Sequence, residues 1–108
     1  MFDQTGKFDG NKLRMDLIPP QAISAIAEVL TYGAEKYSPE SWRLVEPFYD
    51  RYYAAALRHL IAWRSGEKID PESKISHLKH ALCNLVFLVT KEAQDDGYQQ
   101  LTLDDCSP

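Results

Sequence analysis

Hydrophobic residues recur at spacings of three and four in three stretches of the chain, and each stretch reads as an amphipathic helix. In the first, Ile23, Ile26, Ala27, Leu30, Ala34 and Tyr37 form an apolar face that starts near Pro20. Proline suits a helix's first turn and steers the preceding residue away from helical backbone. The second stretch runs from about Pro47 to Ser65 and is closed by Gly66; Tyr52, Ala56, His59 and Trp63 share one face, and Tyr53, Leu57, Leu60 and Ile61 another. Two apolar faces predict burial on more than one side. The third helix is predicted from near Asp70 to about Asp95, with Gly97 as its stop. Asp70-Pro71-Glu72 supplies a capping residue, a proline for the first turn and an acid at the positive end of the helix dipole.

Two stripes interleave along that third helix. Ile75, Leu78, Leu82, Leu85 and Val89 form the apolar one, and His77, His80 and Asn84 a polar one. The polar stripe is displaced from the apolar one by two residues, about 200° on a helix of 3.6 residues per turn, which predicts opposite faces. On this reading the leucines face the core and the histidines a cleft. Val86, Phe87 and Leu88 add more apolar surface than a three-helix monomer can hide, so a homo-oligomer is expected.

The segments between are short. Residues 1–19 read as an extended arm or a short ribbon, with a mobile terminus as the plain alternative, Ser38-Pro39-Glu40-Ser41 as a loop leading to Trp42, and 98–108 as a polar tail. Three helices without a strand pair predict an all-α class, a small bundle forming one domain over residues 1–108. A length of 108 residues suits a single core, and 44% hydrophobic with 26% charged residues is globular composition. A net charge of −4 argues against a nucleic-acid polymer as partner. Without an apolar run of about 20 residues or a signal-peptide core, no membrane span is expected and a cytoplasmic setting is. Cys83 and Cys106 lack a CxxC partner and read as free thiols.

The candidate chemistry gathers at Glu67, Asp70, Glu72, His77 and His80. Histidines at i and i+3 lie on one face and can both aim at one metal ion. Zinc is the commonest partner of such a pair, whereas neighbouring carboxylates shift preference towards magnesium or manganese. Plain alternatives exist for each: a solvent-facing histidine pair, a helix cap for Asp70, and a hydrogen-bonded core residue for His59. Glu28 and Glu35 read as a solvated helix face. Lys7, Lys12 and Arg14 make the arm basic enough to contact an anion, Trp42 can stack on a base or cover a helix end, and Asn84 can orient a water or a substrate.

Four segments in order, GKFDGNKLRMDLIPP, AEVLTYGAEKYSPESW, YYAAALRHLIAWRSGEKIDPES and HLKHALCNLVFL, resemble the N-terminal domain of the phage-encoded dATP/dGTP diphosphohydrolases. That family is similar in turn to the MazG-like all-α nucleotide pyrophosphohydrolases. The resemblance implies cleavage of dATP or dGTP to the monophosphate and pyrophosphate, dependent on Mg2+ with Mn2+ as the alternative, in the host cytoplasm. It departs from the wider group's paired ExxE and ExxD motifs, because His77xxHis80 stands at the second and Glu28 and Glu35 make no close pair. The ligand set it implies is therefore Glu67, Asp70, His77 and His80, with His59 as a further member. Glu67 or Asp70 would align the attacking water. Lys12, Arg14 and Lys36 would contact phosphates, and Tyr37, Trp42 or Asn84 the purine. An HD-type enzyme releasing triphosphate and a non-catalytic helical interaction module are the rival readings.

Overall fold

The computed structural model describes residues 12–96. Among these, three α-helices carry the fold: α1 (Pro20–Lys36), α2 (Phe48–Arg64) and α3 (His77–Asp95). The all-α expectation holds. Short 3-10 turns at Met15–Leu17 and Ser41–Leu44 precede α1 and α2. The first of these interrupts the arm expected to be extended; residues 1–11 of that arm, the Gly97 stop, the tail and Cys106 lie outside the described residues.

Proline places the starts of α1 and α2, and glycine the end of α2. Pro20 occupies the first turn of α1, and Tyr37 closes it by donating its N–H to the Gly33 carbonyl. Pro47 precedes α2, and Gly66, at φ 107°, takes the left-handed backbone that lets the chain leave the helix. Helix α3 starts seven residues later than expected. Asp70 caps a turn instead of a helix: its carboxylate accepts from the Glu72 N–H (3.3 Å) and the Ser73 hydroxyl (3.0 Å). Aspartate followed by proline is equally the signature of a β-turn, and here that use prevails. Lys74 at φ 65° and an isolated bridge between Ile69 and Ser76 complete a tight loop, from which Ser76 caps α3 by accepting from the Leu78 N–H (3.1 Å).

The expected orientation of α3 is reversed. His77, Ala81, Cys83, Asn84 and Phe87 are buried, whereas Leu78, Leu85 and Val89 are exposed, Val89 by 63%. Ile75 is buried but precedes the helix, so it is no guide to the helix's phase. Counted from Leu78, one residue from His77, the stripes stand about 100° apart and not opposed. The inner arc goes to the stripe containing Ala81 and Phe87 because α1 and α2 both approach it. The second face of α2 is likewise uncovered: Tyr53, Leu57, Leu60 and Ile61 are exposed. On α1 the inward face is Ala25, Ile26, Val29 and Leu30, with Ile23 and Tyr37 facing out.

The core is aromatic. Phe48, Cys83 and Phe87 are buried together, with Ile26, Val29, Leu30, Trp42, Tyr52 and Leu88 packed against them. Trp42 stacks on Phe87 at 4.4 Å between ring centroids, and Tyr52 lies 4.8 Å from the same ring. The Tyr52 hydroxyl donates to the Trp42 carbonyl (2.9 Å), which fastens the Ser41–Leu44 turn to α2. Burial pushes the Cys83 thiol up to about 11, so it stays protonated and inert at neutral pH.

Candidate active site

Two cavities meet between the helices. The larger, about 500 Å3, is bounded by Val29, Leu30, Trp42, Tyr52 and Phe87 and includes Asn84. The smaller, about 360 Å3, is polar and bounded by Tyr32, Lys36, Arg58, His59, Asp70, Glu72, His77 and His80. Tyr32, His59 and His80 belong to both walls and mark the junction.

The histidines are wired together. His77 Nε2 lies 2.7 Å from Glu67 Oε1, and His77 Nδ1 lies 2.8 Å from His59 Nδ1. A carboxylate only accepts, so with both rings neutral the proton of His77 sits on Nε2 and its Nδ1 must accept from His59. In that tautomer His59 keeps a lone pair on Nε2. Burial, with His80 and His77 beside it, pushes the His59 imidazole down to about 4, so it is neutral at pH 7. His59 stacks on His80 at 4.5 Å with 12° between the ring planes. His80 Nε2 meets the Ser73 hydroxyl at 2.7 Å, and Ser73 also bridges to Asp70. Burial lowers His80 further than the neighbouring Asp70 raises it. Burial alone would push the Asp70 carboxyl up, but hydrogen bonds from Glu72 and Ser73 outweigh it, and the group ends below the usual carboxylate range.

Cations border the polar cavity. Lys36 pairs with Glu72, which also lies 3.5 Å from the Tyr32 hydroxyl. That pairing holds the Lys36 ammonium above the usual lysine range and the Glu72 carboxyl below its own. Arg58 adds a guanidinium one residue before His59.

The predicted site residues divide on this geometry. His59, Asp70, His77, His80 and Lys36 line the polar cavity, and Trp42, Tyr37 and Asn84 the aromatic one. Glu67 reaches it through His77. Trp42 has Phe87 stacked on it at 4.4 Å and the Arg43 guanidinium 4.3 Å from its centroid. Arg14 pairs with Asp16, and neither it nor Lys12 lines either cavity. Glu28 pairs with Lys79. Sequence reasoning missed Arg58, Tyr32 and Ser73. Tyr32 and Lys36 stand one helical turn apart, and Ser73 is three residues after Asp70, so their spacing held a signal; Arg58 was masked by the aromatic density around it.

As placed, no three His, Cys, Asp or Glu side chains among the described residues form a ready metal-binding group. His77 has both ring nitrogens engaged. Oxygen donors do face the polar cavity, however. Asp70 and Glu72 both line it, with His80 Nε2 3.6 Å from Asp70 Oδ2. Magnesium commonly takes one or two carboxylates and completes its shell with water and substrate phosphates, and this donor set is of that kind.

Fold and site thus define an all-α domain with an aromatic compartment opening onto a polar one edged by cations, carboxylates and imidazoles. The family model described as dATP/dGTP diphosphohydrolase, N-terminal, matches residues 3–101, and the chain belongs to that family. It is 30% identical over 82 residues to a protein of Salmonella phage PMBT28 named dATP/dGTP diphosphohydrolase, a match covering 76% of this chain and 28% of that protein. The chain therefore aligns with little more than a quarter of the relative's length. No solved structure matches it.

Proposed function

We propose that this domain hydrolyses purine deoxynucleoside triphosphates, dATP and dGTP, to the monophosphate and pyrophosphate. The observation that carries this reading is the joined pair of cavities. An aromatic compartment suits a planar base, and the adjoining one offers Lys36 and Arg58 to a polyphosphate. Family membership and the relative's name supply the substrate.

His59 Nε2, neutral and at the junction, accepts the proton of the attacking water as it adds to the α-phosphorus. Glu67 orients His77, and His77 holds His59 in the tautomer that this step needs. Asp70 positions the water. Arg58 and Lys36 take up the negative charge that builds on the departing pyrophosphate. Bound Mg2+ or Mn2+, held by Asp70 and Glu72 with His80 alongside, would supply further charge neutralisation on the phosphates.

Mixing the protein with dATP or dGTP and Mg2+ or Mn2+ is expected to yield monophosphate and pyrophosphate. Release of inorganic triphosphate would move the chain to the HD-type reading, and no turnover with any divalent metal would leave the interaction module. In the active protein, Arg58→Ala is expected to lower kcat/KM on the order of a hundredfold, the usual cost of removing one donor to transition-state charge.

Self-association belongs to the same proposal. Tyr53 and Val89, 61% and 63% exposed, border one groove between the outer faces of α2 and α3. Light scattering is expected to give a multiple of 12.4 kDa; the monomer mass would end that part of the proposal.

A further inference from the structure

Asn84 is 7% exposed, yet its amide has no hydrogen bond to any described residue. Among the described residues no fully enclosed side-chain nitrogen or oxygen lacks a partner, so the amide retains a little open surface. It lines the aromatic cavity among Leu30, Tyr52 and Phe87. A polar group that opens into an apolar cavity without a protein partner is in place for a ligand's polar edge.

We propose that Asn84 reads the six-membered-ring edge of the purine and accepts adenine and guanine alike by turning its amide over. This rests on the substrate class proposed above. On the five-membered-ring side adenine offers a donor and an acceptor, whereas guanine offers two acceptors. An amide, carrying one acceptor and one donor group, cannot make two bonds with guanine there. On the other edge, adenine presents the N6 amino donor and the N1 acceptor, and guanine the O6 acceptor and the N1–H donor. These patterns are mirror images, and a half-turn of the Asn84 side chain matches each in turn. The amide thus selects for the edge without choosing between the two bases.

Binding of nucleoside monophosphates, followed by calorimetry, tests this without requiring turnover. Wild-type protein is expected to bind dGMP, its 7-deaza analogue and dIMP within about threefold of one another, and 1-methyl-dGMP at least about tenfold more weakly, in line with the worth of a two-bond contact to a base edge. In Asn84→Asp the carboxylate accepts from N1–H and the 2-amino group of guanine but faces the N1 lone pair of adenine. The ratio of dGMP to dAMP affinity should therefore rise by about tenfold or more. The wild-type series stands even where the aspartate variant fails to fold. Undiminished binding of 1-methyl-dGMP, weakened binding of the 7-deaza analogue, or no binding of any of these nucleotides overturns the role of Asn84. Hydrolysis of dATP and dGTP accompanied by such a result would leave the proposed reaction intact. Edge-sensitive binding without hydrolysis would do the opposite.

Discussion

Replacement of Phe87 by alanine is expected to lower the unfolding free energy by about 3–5 kcal/mol, the range for deleting a buried phenylalanine. Phe87 is 8% exposed and stands where three elements meet: Trp42 from the turn before α2, Tyr52 from α2, and Cys83 from its own helix. Its removal strips the Trp42 ring of its stacking partner and leaves a void that the interlocked rings cannot collapse to fill. A domain of this size has only about 5–15 kcal/mol in total, so the variant should be marginal at 37 °C. Urea unfolding followed by tryptophan fluorescence measures this directly. Phe87→Leu keeps most of the volume and should cost about half as much or less. A loss below about 1 kcal/mol in the alanine variant would show that the Trp42 stack is a surface feature and not the centre of the core.

The metal-free protein should lose stability between about pH 6.5 and 4. Folding moves the His59 imidazole from 6.5 to about 4, so the unfolded chain takes up its proton more readily than the folded one. The contribution is complete above pH 6.5 and disappears as pH falls towards 4. A difference of 2.5 units would correspond to about 3 kcal/mol at 1.36 kcal/mol per unit. His59 borders a water-accessible cavity, and screening there reduces the expected effect to about 1–2 kcal/mol. His80 is shifted in the same direction and adds to it, whereas Asp70, held below its ordinary value of 3.8, weakens the fold only in more acid solution. Urea midpoints at pH 7.5 and pH 4.5 reveal the difference. His59→Asn retains a donor for His77 but does not titrate, and should remove roughly half of the pH 7.5 to 4.5 difference or more. An unchanged difference in that variant would assign the acid sensitivity to other groups.

Local chemistry made much of this protein legible in advance. Pro20, Pro47 and Gly66 mark helix boundaries because proline and glycine restrict or widen backbone choice wherever they stand. The three helices, the all-α class and the gathering of Glu67, Asp70, His77 and His80 near one place followed from spacing along the chain. Asp70-Pro71 did not, since the same dipeptide opens a helix or a turn, and only the Ile69 to Ser76 bridge and the left-handed Lys74 decide between them.

Helical periodicity establishes that α3 has distinct stripes but carries no information about which stripe meets a neighbour. Hydrophobicity favoured the leucines. Tertiary packing chose instead the arc with Ala81, Cys83, Asn84 and Phe87, where Trp42 and Tyr52 pack on the Phe87 ring and His59 lies against His77 and His80. That choice set His77 and His80 into an internal network with His59, Glu67, Ser73 and Asp70. It also placed Arg58, Tyr32 and Ser73 around them, bringing three separate segments of the chain together. Sequence alone determined which local structures this chain forms, because those depend on neighbours in the chain. The identity of the buried face, and with it the site, depended on which helix lies against which, and was decided only when all three packed together.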